Sequence, residues 1–113
     1  MRIEFYEFGK IVIDGKAYYR DILITPNGIK ENWWRRSSHE LRADDLKEFL
    51  ERGIEVAIVG TGRYGFMRVL PDALQLLREV SSELIIQRTP EACRAYNEFA
   101  GAKRTFAALH LTC

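Results

Sequence analysis

Few side chains in this sequence of 113 residues can titrate near neutrality, attack a substrate or bind a soft metal. There are two histidines, His39 and His110, and two cysteines, Cys93 and Cys113. His110 and Cys113 stand three apart on what reads as a strand, so their side chains face opposite ways. His39 lies far from both in sequence, and no metal site is expected. A Cys-His nucleophile pair is the other chemistry these types allow. Cys93 falls on the apolar face of a helical pattern, where cysteine acts as a small hydrophobe. Nothing close in sequence activates Cys113. No G-x-S-x-G occurs, and no paired carboxylates suit glycosidase chemistry.

Asp21 lies between Tyr19-Arg20 and the apolar run Ile22-Leu23-Ile24. A carboxylate in that position is half-buried and needs a donor, from an arginine or from a glycine-rich turn. It reads either as a general base or as a structural acceptor. The glycine turn is Gly60-Thr61-Gly62-Arg63-Tyr64-Gly65, which matches G-x-G-x-x-G in letters. In a dinucleotide fold the third glycine lies inside the helix that the motif opens. Here Pro71 marks the helix start too late, and the next strand ends at Gln87-Arg88 with no acid for a ribose. No Gly-Lys-Ser/Thr closes a phosphate loop either. What remains is a turn of exposed amides at a strand end, able to hold an anion with help from Arg63 and Arg68, or simply a tight reversal.

The segment Trp33-Trp34-Arg35-Arg36, followed by His39, is the other conspicuous cluster. Read as strand residues, the two tryptophans face opposite sides, one into the core and one outward. Arginines beside an exposed indole suit a protein contact. They also suit stacking on a base, or cation–π packing onto the protein itself.

Positioning these groups requires the following elements. Ile3 to Phe8 alternates, Gly9 interrupts, and Ile11-Ile13 continues. Asp14-Gly15 then predicts a type I′ hairpin turn into an arm from Lys16 to Ile24. Pro26-Asn27-Gly28 predicts a second turn, followed by a strand from Ile29 to Trp34. Residues 35–40 read as a polar loop. A short helix is expected from Asp44, its N-cap, to Arg52, with Leu46, Phe49 and Leu50 inward and Gly53 as its stop. Glu55–Val59 is an apolar run of the kind buried on both faces of a sheet. Pro71 opens a helix whose stripe is Ala73, Leu74, Leu77 and Val80. Leu84-Ile85-Ile86 is a short strand. Thr89-Pro90-Glu91 starts a helix with Thr89 as capping hydroxyl, burying Cys93, Tyr96 and Phe99. Arg104–Leu111 is the last strand. The order is β-β-β-β-α-β-α-β-α-β: a single compact α/β domain over residues 1–113, with a mixed central sheet, N-terminal β-hairpins and about three helices.

The totals are those of an ordinary globular domain, 47% hydrophobic and 29% charged. A net charge of +1, from 17 basic and 16 acidic residues, argues against wholesale nucleic-acid binding. Two cysteines without a C-x-x-C pair indicate neither a zinc module nor a disulfide scaffold. Acids in the first residues and the lack of an apolar run of about 20 residues speak against a signal peptide and a membrane span. A soluble, cytoplasmic protein is expected.

Gly15 with Tyr18 and Tyr19, Asp21-Ile22, Pro26, and Trp33-Trp34-Arg35 with His39 and Leu41 together resemble the Mth-nine-three-eight domain family, also called the adipogenesis-associated domain family. So do Gly60-Thr61-Gly62-x-x-Gly65, Pro71, Thr89-x-x-Ala92 with Tyr96-Asn97, and the ending Ala108-Leu109-His110-Leu111-Thr112-Cys113. The resemblance spans nearly the whole chain. It implies a compact α/β fold with a mixed sheet and added hairpins. One eukaryotic branch of that family contains a mitochondrial respiratory complex I assembly factor, and another is cytosolic and linked to adipocyte differentiation. The family has no established catalytic residues to carry over. A start almost at the first strand fits a prokaryotic or cytosolic member.

Two functions follow as expectations. The first is a non-enzymatic interaction or assembly-factor-like module, with Trp33, Trp34, Arg35 and Arg36 as its partner surface. The second is a small-ligand or anion-binding protein, an enzyme included, with a pocket formed by Gly60, Thr61, Gly62, Arg63, Gly65, His39 and Asp21. No catalytic residue, metal or cofactor is expected. A protein partner is, with the chain itself a monomer or homodimer. Nucleic acid is the weakest candidate ligand.

Overall fold

A computed structural model describes residues 1–113. Three strands come first: β1 (Ile3–Glu7), β2 (Lys10–Ile13) and β3 (Lys16–Tyr18), paired antiparallel in that order as a small sheet. The β2–β3 turn is the hairpin expected from Asp14-Gly15. Both residues adopt positive φ, 48° and 83°, as a type I′ turn requires. The arm expected from Lys16 to Ile24 divides, however. β3 stays in the small sheet, whereas β4 (Ile22–Thr25) joins a second sheet, with Tyr19-Arg20-Asp21 between them.

That second sheet has five strands in the order β5-β4-β10-β7-β9. β5 (Gly28–Lys30) closes the Pro26-Asn27 hairpin against β4. It ends well before Trp34, because Asn32 turns into the left-handed region at φ 54°. β7 (Ile54–Gly60) pairs in parallel with β9 (Ser81–Gln87) on one side and with β10 (Thr105–Leu109) on the other. β10 is antiparallel to β4, so the central sheet is mixed. Two further short strands, β6 (Glu40–Leu41) and β8 (Arg68–Val69), pair with each other inside segments that read as loop.

The helices are α1 (Pro71–Val80) and α2 (Thr89–Phe99), with proline in the first turn of each. In place of the first expected helix there is a 3₁₀ turn, Ala43–Asp45, followed by hydrogen-bonded turns to Phe49. Asp44 does not cap it. The Asp45 carboxylate accepts from the Arg42 and Arg36 amides instead, and Asp44 pairs with Lys47 in solvent. Thr89 is likewise not the cap of α2. It lies within the first turn and its hydroxyl is used elsewhere.

The three inner strands β4, β10 and β7 are buried on both faces, which explains their unbroken apolar runs. Ile22 and Ile24, Val56 and Ile58, and Ala107 and Leu109 face α2 and the small sheet, where they meet Ile11, Ile13, Ala92 and Tyr96. Leu23, Ala57, Val59, Phe106 and Ala108 face the other way, against Ala73 and Leu77 of α1, Trp33, Leu46 and Met67. Each fully buried large side chain contributes about 1.5–3 kcal/mol.

Candidate functional site

Asp21 leaves the small sheet just before β4, where the chain passes the end of β10. Its Oδ1 accepts from the Leu111 amide at 2.8 Å. Its Oδ2 accepts from Arg35 Nη1 and from His110 Nδ1, each at 2.7 Å. A carboxylate can only accept, so the His110 proton sits on Nδ1. Arg35 Nη2, at 3.1 Å from that same nitrogen, is then a packing contact, and it donates to the Ser38 carbonyl at 2.8 Å. The guanidinium also lies 4.8 Å over the Trp33 ring, and the Trp33 indole donates to the Asp45 carbonyl at 3.0 Å. Three segments are thus tied at one point: the entry to β4, the loop 33–38, and the exit of β10.

Burial pushes the Asp21 carboxyl up. Hydrogen bonds from His110 and the Leu111 amide, with the attraction of His110 and Arg35, outweigh it and hold the carboxyl below its ordinary range. A carboxylate held ionised with three donors on it is a weak base. The arrangement suits an anchor better than a general base. His110 Nε2 remains buried without a partner.

The glycine turn is equally committed. Thr61 N–H donates to the Gln87 carbonyl, Gly62 N–H to Thr89 Oγ1, Arg63 N–H to the Thr112 carbonyl, Gly65 N–H to the Gly62 carbonyl, and Phe66 N–H to the Cys113 carbonyl. The Thr89 hydroxyl in turn donates to the His110 carbonyl at 2.6 Å. The sequence allows either an open anion nest or a tight reversal here; these five amides are satisfied by the chain itself, those of Arg63 and Phe66 by residues 112 and 113, which run across the turn. Gly62, at φ 107°, packs directly on the Cys113 backbone and against the His110 ring. That close approach is what demands glycine. Arg63 points to a separate cavity beside α2, lined by Tyr6, Cys93 and Asn97.

Two surfaces remain open. A groove of about 380 Å³ is floored by Asp21, Arg35 and His110 and flanked by Tyr19, Arg20, Asn32, Trp34 and Ser38. Around the glycine turn runs a ridge of rings. Phe8 lies 6.1 Å from Tyr64, Tyr64 lies 6.3 Å from Phe66, Phe66 lies 6.3 Å from His39, and His39 lies 6.4 Å from His110. Phe8, Tyr64 and Phe66 are 51%, 55% and 58% exposed.

The segment expected as a partner surface is therefore split. Trp34 and Arg36 are exposed, whereas Trp33 and Arg35 are buried. Trp33 fills the core over the 3₁₀ turn, and the Arg35 charge is drawn in by Asp21. His39, Asp21 and the glycine turn surround His110 without sharing a cavity, since Asp21 alone lines the groove.

Residues 3–111 match the model of a family described as "Protein of unknown function (DUF498/DUF598)". The chain belongs to this family. The chain is similar to conserved hypothetical protein PH1505 from Pyrococcus horikoshii OT3, with 35% identity, full coverage of both chains and a TM-score of 0.86. It is similar to a protein titled MT938 at 27% identity, covering 99% of this chain and 98% of that one, with a TM-score of 0.79. It shares the fold of a Mth938-like domain from Bordetella pertussis, at 21% identity, 97% and 85% coverage and a TM-score of 0.70. Membership in DUF498/DUF598 agrees with the resemblance read from the motifs.

Within this DUF498/DUF598 domain, His110 is the residue that sequence reasoning undervalued, weighed only as a metal ligand or nucleophile partner. The need of Asp21 for a partner was visible; that the partners lie 14, 89 and 90 residues away was not. The ring ridge had a faint signal in Tyr64-Gly65-Phe66, two aromatics in a turn that polar residues usually fill. No helix is long and apolar enough to cross a membrane.

Proposed function

We propose that this domain is a protein-interaction module that docks its partner on the ring ridge around the glycine turn. The observation that supports this reading is the contiguous, exposed run Phe8–Tyr64–Phe66–His39. Aromatic side chains dominate interface hot spots because they bury a large area at small conformational cost. The backbone beneath them is held by the amides of Thr61, Gly62, Arg63, Gly65 and Phe66, so little ordering entropy opposes binding. The fitting partner offers aliphatic residues to the rings. We extend the reading to an assembly-factor-like role, in which such a surface holds a client and releases it. We place this activity in the cytoplasm, where the two free cysteines persist as thiols.

The test is affinity capture from the native host with wild type and Tyr64→Ala/Phe66→Ala, with Trp34→Ala/Arg36→Ala in parallel. A partner retained by wild type and lost with the Tyr64/Phe66 variant is expected. An unchanged set of bound proteins rejects the ridge as docking surface.

A second reading rests on the groove, whose volume of about 380 Å³ falls in the range of small-molecule sites. Trp34 and Tyr19 would stack on a ligand whose polar end meets Arg20 and Ser38. A thermal-shift panel of nucleotides, phosphates and carboxylates tests it. Ligand at ~100 times its dissociation constant stabilises by about 2.7 kcal/mol. No shift across the panel rejects this reading.

A further inference from the structure

The five-stranded sheet has two edges. One is β5, three residues long. The other is β9, seven residues long, with the sequence Ser-Ser-Glu-Leu-Ile-Ile-Gln. The Gln87 carbonyl accepts from Thr61 at the end of β7. The odd-numbered residues of β9 therefore direct their N–H and C=O groups toward β7. Ser82, Leu84 and Ile86 direct theirs outward. No turn, loop or side chain supplies partners to these outward groups. The devices that protect natural edges, such as proline, lysine or a bulge, are missing from Ser81–Gln87. Its one charge is Glu83, and Ile86 is 40% exposed.

We propose that β9 is a dimerisation strand: two copies of the chain pair β9 to β9, antiparallel, about a two-fold axis at Ile85. The two five-stranded sheets then continue into one another. In antiparallel pairing, directly opposed residues share a face and exchange hydrogen bonds in alternate pairs. With Ile85 opposite itself, Leu84 and Ile86 of the second copy exchange both N–H···O bonds, and the outward groups of these two residues are used. Leu84 covers exposed Ile86 of the other copy, Glu83 meets an uncharged Gln87, and Ser82 meets Arg88. Centring one residue earlier sets the Glu83 carboxylate against Ile85. Centring two residues earlier sets the two Glu83 carboxylates against each other, which is repulsive. Among the registers centred on Glu83, Leu84 and Ile85, charge and apolar pattern thus favour the last. A two-fold contact of this kind is closed and stops at two copies.

Light scattering and cysteine cross-linking on the full chain test this. Wild type is expected at twice the chain mass. Ile86→Pro removes an outward N–H that the pairing uses without touching the β7 ladder, and Ile86→Lys places a charge on the edge. Each is expected to run as a monomer with an unchanged circular-dichroism spectrum. In a Cys113→Ser background, Ile85→Cys is expected to cross-link to itself on oxidation, since opposed residues outside the hydrogen-bonded pairs lie within disulfide reach. Glu83→Cys is expected to cross-link only when mixed with Gln87→Cys. A wild-type monomer up to millimolar concentration overturns the proposal. So does a dimer that survives both edge variants, or a Glu83→Cys that cross-links to itself while Ile85→Cys does not. If Ile86→Pro fails to fold, Ile86→Lys and the cross-links decide.

Discussion

Arg35 is an arginine in the interior, and its charge is tolerated because Asp21 accepts from it. Removing one member of such a pair leaves the other charge buried. Arg35→Ala is expected to cost about 3–5 kcal/mol, read from the denaturant midpoint. The pair also links stability to pH. The Asp21 carboxyl titrates below its ordinary 3.8 in the folded chain, so its contribution is complete above that value and is lost as pH falls through the lower folded one. Denaturant midpoints measured downward from neutral pH should show an acid limb that Asp21→Asn flattens. The cysteines behave differently from each other. Burial pushes the Cys93 thiol up to about 12, whereas Cys113 is half-buried. A thiol reagent should therefore titrate one equivalent in the native protein and the second only on unfolding.

Among the elements, the glycine turn has the tightest fit. Its shape is held by Thr89, whose hydroxyl accepts from Gly62 and donates to His110. Thr89→Val leaves a buried amide and a buried carbonyl unpaired, and is expected to cost about 2–4 kcal/mol in chemical unfolding. Gly62→Ala would force a side chain into the Cys113 backbone at a positive φ. A loss of about 3 kcal/mol or more is expected, visible as a lowered Tm. Neither substitution touches the rings of Tyr64 and Phe66. If the ridge docks a partner, these variants should weaken binding only as far as they loosen the turn.

At the scale of the molecule, β10 is the organising strand. It is entirely buried, with β7 on one side and β4 on the other, and its exit meets Asp21 and the glycine turn. Its amides open only when the whole domain unfolds, whereas the small sheet β1–β3 and the edge β9 have fewer neighbours holding them. Native-state hydrogen exchange should find the slowest amides in β10 and β7 and markedly faster ones in β1. In a β9-paired dimer, the Leu84 and Ile86 amides should slow with rising protein concentration.

Much of this architecture is written in local pattern. Asp14-Gly15 allows little besides a type I′ hairpin. Pro71 and Pro90 place the helix starts, and the Val-Ala-Ile-Val and Phe-Ala-Ala-Leu runs mark strands buried on both faces. These signals act between residues adjacent in the chain or one turn apart, so the sequence alone determined the α/β class, the family and the places of β7, α1, β9, α2 and β10. The expected helix at 44–52 failed where a short-range cap prevailed, and the strand running to Trp34 failed where the core claimed Trp33. Asp45 bonded Arg42 and Arg36, and Asn32 turned the chain so that Trp33 could enter the core. Only the tertiary structure decided what the polar groups do. Asp21 could have met any donor; it met Arg35, His110 and Leu111 because β4 and β10 are neighbours. The turn amides could have held an anion; they hold residues 112 and 113 because β10 exits across them. Backbone and carboxylate groups take whichever partner packing brings near, and that choice depends on strand order, which is a property of the whole sheet.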